Sequence, residues 1–160
     1  MTVSEKAGLK VPQLAEIQAA RGRISGMAIR TPLVRLGLDD ASAEIYLKLE
    51  NLQPIGSFKL RGAGNAVLKA GRKALGEGVY TASAGNHAQG VAWAARSLGV
   101  PCTVIVPEHA PANKLAAITR LGAKIIKFPF DDWWRVIEEH GARGVPGRTR
   151  ALPRTLSEEG

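Results

Sequence analysis

A single lysine, Lys59, lies among small residues in the stretch GSFKLRG at residues 56–62, and it is the strongest candidate for chemistry. Ser57 is a good N-cap, and apolar residues follow at helical spacing from Leu60 onward, so Lys59 is predicted to lie in the first turn of a helix. The positive end of the helix dipole favours a neutral, nucleophilic amine there. This environment suits a lysine that forms a Schiff base, and a solvated surface lysine is the structural alternative.

A second polar stretch, TASAGNHAQG at residues 81–90, combines a hydroxyl, a glycine, an amide and a histidine. It is predicted to lie where a strand becomes a helix. Backbone N–H groups at a helix start form a site for a carboxylate or a phosphate. A capped turn, with Asn86 as the N-cap, is the alternative that the local residues leave open.

Strands and helices alternate from residue 78 onward, which predicts parallel βαβ units. The predicted strands are 79–82, 102–106 and 124–128, and the predicted helices are 86–98 and 112–121. Gly99 and Gly122 follow these helices at positions that favour a left-handed cap. Further upstream, the pattern predicts a helix at 12–24 and a half-buried strand at 45–50. Because ligands bind beyond the carboxyl ends of parallel strands, the loop at 81–87 is expected to form part of a site.

Composition and charge exclude several classes of function. The net charge is +8, but the basic residues are scattered and aromatic residues make up only 5%, so no nucleic-acid partner is expected. The single cysteine excludes an intramolecular disulfide, and the three histidines are not at metal-ligand spacing, so no metal site is predicted. No signal peptide or apolar run of membrane-spanning length is visible, so we expect a cytoplasmic protein without a membrane partner. Residues 142–160 show no sustained period and are predicted to form an irregular basic tail.

Together, GSFKLRGA at 56–63 and TASAGNHAQG at 81–90 resemble the threonine/serine dehydratase (threonine ammonia-lyase) group of fold-type-II pyridoxal-phosphate enzymes. The resemblance implies an α/β fold like that of the tryptophan synthase β chain, with parallel-sheet βαβ units and incomplete at the C-terminal side. Residues 1–75 would be the N-terminal part of the large cofactor-binding domain. Residues 76–141 would be a small α/β domain with three short parallel strands, followed by the basic tail.

The resemblance also implies a role for each matched residue and a small amino-acid substrate. Lys59 would hold pyridoxal phosphate and later take the substrate's α-proton, Phe58 would flank the cofactor ring, and Asn86 would bond its phenolic oxygen. The residues that would hold the substrate carboxylate are Ser83, Gly85, Asn86 and His87. The implied activity is dehydration and deamination of L-threonine or L-serine to a 2-oxo acid and ammonia.

Ala84 stands where related serine racemases typically carry a serine as a second acid/base, and alanine cannot move a proton. Elimination is therefore favoured, with a serine racemase-like enzyme as the alternative. The glycine-rich loop that clasps the cofactor phosphate in this family has no counterpart in the sequence. We therefore expect this chain to be inactive or weakly active alone, and a non-catalytic remnant or interaction module is a further alternative. Family members are commonly dimers or larger, so a homo-oligomer is expected.

Overall fold

The computed structural model describes residues 11–40 and 42–138, together with the backbone of Arg154–Thr155. The first part holds two helices, a hairpin and a 3₁₀ turn: α1 Leu14–Ile24, β1 Leu33–Arg35, β2 Tyr46–Lys48, the turn Glu50–Leu52 and α2 Lys59–Ala74. The second part alternates strands and helices: β3 Val79–Ala82, α3 Asn86–Leu98, β4 Cys102–Pro107, α4 Ala112–Arg120, β5 Lys124–Phe128, α5 Phe130–Glu138 and β6 Arg154–Thr155.

The second part forms a parallel sheet in the order β5-β4-β3-β6. The predicted βαβ units and their three strands are thereby confirmed. The expectation of three strands and an irregular tail is corrected at one place, because Arg154–Thr155 adds a fourth strand beside β3. Two residues are too short a segment to show a strand period, so the sequence carried no signal for it. The other residues of the predicted tail lie outside the described residues.

Alternation along β4 divides the core into two layers, since successive side chains of a strand point to opposite faces of the sheet. Val104 and Val106 face a cluster that includes Val91 of α3 and Val67 of α2. Ile105 faces the other way, into a smaller cluster covered by α5. Helix α2 thus shares one core with the sheet, and the predicted domain boundary near residue 75 stays a prediction.

Two glycines end helices in the way the sequence predicts. Gly99 has a φ of 64° and closes α3, while Gly122 has a φ of 87° and lies just after α4. Gly71, with a φ of 75°, interrupts the helical geometry inside α2, which the sequence did not predict. A left-handed conformation costs glycine little, so each position suits this residue.

Strands β1 and β2 pair antiparallel as a hairpin, with Leu33 opposite Lys48 and Val34 opposite Leu47. The predicted half-buried strand at 45–50 is wrong in length and in burial, because the strand covers only Tyr46–Lys48 and all three residues are exposed. A period of two identifies the apolar face of a strand, but another layer must cover that face before it is buried.

Candidate functional site

Lys59 is the first residue of α2, as the sequence predicts. Gly56, with a φ of 68°, turns the chain into the helix, and the backbone N–H of Lys59 donates to Ser57 Oγ at 3.3 Å. The residue at the N-cap is Phe58, in a helical conformation, so the prediction of Ser57 as the N-cap is wrong by one position. Lys59 therefore lies in the first turn, where the helix dipole is most positive.

The Lys59 side chain is half-buried, and its amine lies beside an aromatic ring. Nζ is 5.7 Å from the centroid of the Phe58 ring, within the range of a cation–π contact. Phe58 is itself 61% exposed. An exposed ring next to a half-buried amine leaves a flat apolar surface open beside the nitrogen, which is the arrangement expected if Phe58 flanks a bound ring.

The loop at the carboxyl end of β3 leads directly into α3. The N–H of Ser83 donates to the carbonyl of Ile105 at 3.1 Å, which fixes the loop to β4, and Ser83 Oγ accepts the N–H of Gly85 at 3.3 Å. Gly85 is the N-cap of α3 and Asn86 is its first residue, so the alternative with Asn86 as the N-cap is wrong. An extended backbone and open space around the Cβ position of Gly85 leave the loop accessible.

Asn86 and His87, which are predicted to bind the substrate carboxylate, follow the N-cap in the first turn of α3. Asn86 is exposed, whereas His87 is 8% exposed and belongs to the buried part of the helix. Backbone N–H groups of a first helical turn have no partner within the helix and point toward the space ahead of it. The loop therefore leaves the Asn86 amide exposed to solvent, whereas the His87 side chain is buried.

Gly90 brings the two helix starts together. A Cβ atom at this position would lie 2.9 Å from Ala63 Cβ and 3.2 Å from the Lys59 carbonyl oxygen. The first turn of α2 therefore packs directly on α3, one helical turn beyond Asn86. Since residues four apart share one face of a helix, Asn86 and Gly90 lie on the same side of α3. This close contact brings the Lys59 backbone against α3 at a position four residues after Asn86.

A polar network that the sequence did not predict anchors the start of α2. Arg61 binds Glu50 through two parallel contacts, Nε to Oε2 at 2.8 Å and Nη2 to Oε1 at 2.7 Å. Thr31 donates to Glu50, Gln53 Nε2 donates to it at 3.2 Å, and Arg61 also donates to the Ile29 carbonyl at 3.0 Å. The network joins the chain before β1, the 3₁₀ turn and the lysine helix.

Glu50 and Arg61 both stay charged near neutral pH. Hydrogen bonding from Arg61, opposed by burial and aided by Thr31 and Gln53, lowers the pKa of Glu50 from 4.5 to about 2. The same hydrogen bond raises the pKa of Arg61. The sequence shows only that the acidic residue Glu50 ends the predicted strand and that Arg61 follows Lys59 by two residues, and neither fact predicts their contact.

Other reactive groups in the described part of the chain do not form a competing centre. Cys102 is buried, and burial raises the pKa of its thiol to about 12. His109 stacks on Phe130 at 5.9 Å, and His140 lies outside the described residues. In residues 11–40 and 42–138, no group of His, Cys, Asp and Glu could hold a metal ion. None of the helices in these residues combines the length and the apolar character that a membrane span requires.

Comparison with known proteins identifies a family and several relatives. The family described as "Pyridoxal-phosphate dependent enzyme" matches residues 24–148. The L-threo-3-hydroxyaspartate ammonia-lyase of Saccharomyces cerevisiae is 43% identical over 120 residues, which are 74% of this chain and 37% of that protein. The L-threonine ammonia-lyase of Thermotoga maritima is 43% identical over 115 residues, 71% of this chain and 29% of that protein.

Solved structures of similar fold include a threonine deaminase and a serine racemase. The T.th. threonine deaminase superposes with a TM-score of 0.73 at 32% identity, covering 92% of this chain and 45% of that one. The serine racemase of Dictyostelium discoideum superposes with a TM-score of 0.72 at 34% identity, covering 91% and 46%. This chain spans about a third of the length of the curated relatives above and just under half of these structures. The chain belongs to the family of pyridoxal-phosphate dependent enzymes of fold type II.

Proposed function

We propose that this chain carries the lysine and the carboxylate-binding loop of an ammonia-lyase that converts L-threonine or L-serine to a 2-oxo acid and ammonia. The observation that carries the proposal is the contact at Gly90, which holds the Lys59 helix start against the start of α3. Relatives named L-threonine ammonia-lyase, at 43% and 46% identity, support the reaction class. The chain spans less than a third of the length of those two relatives.

The described residues fit pyridoxal phosphate on its aldehyde side. Lys59 offers a half-buried primary amine, and the exposed ring of Phe58 offers a flat apolar neighbour. The open space at Gly85 and the exposed Asn86 amide leave room and a donor for polar groups of the ring. These groups match a planar aldehyde with polar substituents better than a metal ion or a nicotinamide cofactor.

The chain's own residues then have separate tasks in the reaction. Bound pyridoxal phosphate supplies an electron sink for the charge left at the substrate's α-carbon. The Lys59 amine takes the α-proton, and the loop Ser83–His87 holds the carboxylate through N–H donors and the Ser83 hydroxyl. Loss of the β-hydroxyl removes one water, and hydrolysis of the released enamine returns it. One L-threonine thus gives one 2-oxobutanoate and one ammonia, and L-serine gives pyruvate.

Ala84 favours elimination over inversion at the α-carbon. Its side chain is a half-buried methyl group packed against the main core cluster. Racemisation requires a second group that returns the proton from the opposite face, and a methyl group carries no such proton. The similarity to serine racemases keeps racemisation as the second candidate.

The first experiment tests Lys59 directly. The purified chain is mixed with pyridoxal phosphate, reduced with borohydride, digested and analysed by mass spectrometry, and the visible absorbance is recorded before reduction. We expect a covalent label at Lys59 that is absent in Lys59→Ala and retained in Lys69→Ala, the matched control, since Lys69 is exposed on the same helix. Label spread evenly over surface lysines, unchanged in Lys59→Ala, would support the non-catalytic remnant instead.

The second experiment identifies the reaction. Preparations that bind the cofactor at Lys59 are given L-threonine or L-serine, and the 2-oxo acid and the D-amino acid are both quantified. Oxo-acid release should exceed D-serine formation, and the reverse ratio would refute the elimination proposal. We also propose that the protein is cytoplasmic and forms a homo-oligomer. Cell fractionation would test the location, and light scattering would test the oligomeric state.

A further inference from the structure

A cavity of about 660 Å³ lies where α1, α2 and α3 meet, away from the first turns of α2 and α3. Binding sites for small molecules typically have volumes of roughly 300–1,000 Å³. The cavity is therefore large enough for a small-molecule ligand, and it is separate from the candidate site at Lys59. The side chains that line it include Arg23, Met27, Leu68, Trp93 and Arg96.

Helix α1 forms one wall of the cavity and is anchored mainly at its C-terminal end. Ile24 is the only buried residue of α1. A Cβ atom at Gly64 would lie 2.6 Å from Met27 Sδ and 3.7 Å from Ile24 Cγ2, so the missing side chain gives the end of α1 room to pack on α2. The rest of α1 is held less firmly, and a ligand that contacts both α1 and α3 should stabilise it.

The apolar part of the lining suits a flat ring. Met27, Leu68 and Trp93 all line the cavity, and each is half-buried. An indole ring offers a broad face on which another ring can stack, and the unbranched methionine side chain adapts its shape to a neighbour. A planar aromatic group therefore fits this lining better than a sugar or a metal ion.

Two arginines give the cavity a positive charge. Arg23 and Arg96 reach it from different helices, and no acidic residue of the described chain lines it. Arg23 Nε donates to Asn65 Oδ1 at 2.8 Å, which orients this guanidinium and leaves its two terminal nitrogens for a ligand. The Arg96 side chain forms no hydrogen bond or ion pair with another described residue. Both cations can therefore bind an anion in the cavity.

The guanidinium groups, and not the backbone, must supply the attraction for that anion. Arg23 and Arg96 each lie in the last turn of their helix, where the helix dipole is negative. A guanidinium binds a carboxylate through planar, charge-assisted hydrogen bonds. We propose that the cavity binds a small aromatic carboxylate, with its ring against Trp93 and its carboxylate held by the two arginines. This site does not depend on the reaction proposed at Lys59.

Calorimetric titration of the full chain with three probes tests the proposal. Phenylacetate carries both a ring and a carboxylate, phenylacetamide has the same ring without the charge, and acetate has the charge without the ring. We expect one phenylacetate per chain with a Kd below about 1 mM, and binding of the other two that is weaker by at least about tenfold. Hydrogen–deuterium exchange should slow in Leu14–Ile24 when phenylacetate is bound, because the ligand joins α1 to α3.

Variants identify the site. Arg96→Gln should weaken phenylacetate binding by at least about tenfold, because it removes one of the two charges that hold the carboxylate. Arg72→Gln is the matched control, since Arg72 is exposed in the last turn of α2 and does not line the cavity. It should change the affinity by less than about twofold. Both replaced side chains are exposed, and urea unfolding checks that each variant keeps the stability of the unmodified chain.

Three results would overturn the proposal. The first is the absence of saturable phenylacetate binding below about 1 mM, and the second is equal binding of phenylacetate and phenylacetamide. The third is equal phenylacetate binding by Arg96→Gln and the unmodified chain. If Ser83→Ala loses binding while Arg96→Gln retains it, the ligand lies in the predicted carboxylate loop instead. Failure of the lysine-labelling experiment would leave phenylacetate binding unchanged, so the two proposals can fail separately.

Discussion

Replacing Glu50 by glutamine should destabilise the start of α2, although the substitution only exchanges one carboxylate oxygen for an amide nitrogen. The substitution removes the charge that accepts two contacts from Arg61 at 2.7 and 2.8 Å. The Glu50 side chain is 16% exposed and that of Arg61 is 35% exposed, so the pair is shielded from much of the solvent. The glutamine keeps one acceptor oxygen, but the guanidinium loses its counter-charge. Removing one partner of a shielded pair costs more than the pair itself contributes.

The pKa of Glu50 provides the magnitude. Its fall from 4.5 to about 2 corresponds to about 3 kcal/mol of stabilisation of the charged form in the folded state. Because the amide oxygen of glutamine retains part of the hydrogen bonding, we expect a loss of about 2 kcal/mol near pH 7. For a chain of 160 residues this corresponds to a Tm lower by roughly 4–8 °C.

The pH dependence has a definite sign. Glu50 has a lower pKa when folded, so its contribution is fully present above 4.5 and is lost as the pH falls toward about 2. The difference in unfolding free energy between the unmodified chain and Glu50→Gln should be constant from about pH 6 to 8. It should shrink below pH 4.5 and approach zero near about pH 2. Urea unfolding followed by circular dichroism at several pH values measures it.

Glu44→Gln is the matched control. Glu44 pairs with Arg35 at 3.3 Å, but both side chains are about two-thirds exposed, and such surface pairs contribute little. Its effect should stay below about 0.5 kcal/mol. Equal losses in the two variants, or a Glu50→Gln difference that does not change between about pH 7 and 3, would falsify the role given to the Glu50–Arg61 pair.

Two further predictions concern the helix contact and the loop. Gly90→Ala should destabilise the fold by about 1–3 kcal/mol in urea unfolding, because the new Cβ would lie 2.9 Å from Ala63 Cβ and 3.2 Å from the Lys59 carbonyl oxygen. Gly62→Ala, where nothing lies within 4 Å, should instead stabilise α2 by roughly 0.5–1 kcal/mol, and the same sign for both variants would contradict the packing argument. Ala84→Ser should raise the ratio of D-serine to pyruvate in any preparation that turns over L-serine, as measured by chiral chromatography, and an unchanged ratio would show that a hydroxyl at this position does not reach the α-carbon.

The sequence predicted the parallel part of the fold well, because β3 and β4 are mostly buried and a glycine follows both α3 and α4. Strands β3 and β5, helix α3 and the caps at Gly99 and Gly122 follow from local periodicity and turn chemistry alone. The position of Lys59 at a helix start follows from the same kind of signal. These features are encoded within short windows, where backbone preference and burial agree.

Features that depend on distant contacts were harder to predict. The Glu50–Arg61 pair joins residues eleven apart across a turn, and the contact at Gly90 joins two helices, so neither leaves a periodic signal. The exposure of Leu47 could not be read from alternation, since the pattern shows which face is apolar and not whether anything covers it. The roles of Ser83, Asn86 and His87 toward a ligand remain predictions from the resemblance.

The burial of Cys102 also makes the protein convenient to label. It is the only cysteine in the chain, and a pKa of about 12 leaves roughly one thiol in ten thousand ionised at about pH 8. Because the thiolate is the form that attacks maleimides and disulfide reagents, the native thiol should stay unreactive while the protein is folded. A cysteine introduced at an exposed position such as Leu38 could therefore carry a fluorophore or spin label without removal of the native residue. Distance measurements from such a label would then report directly on the hairpin in the intact protein.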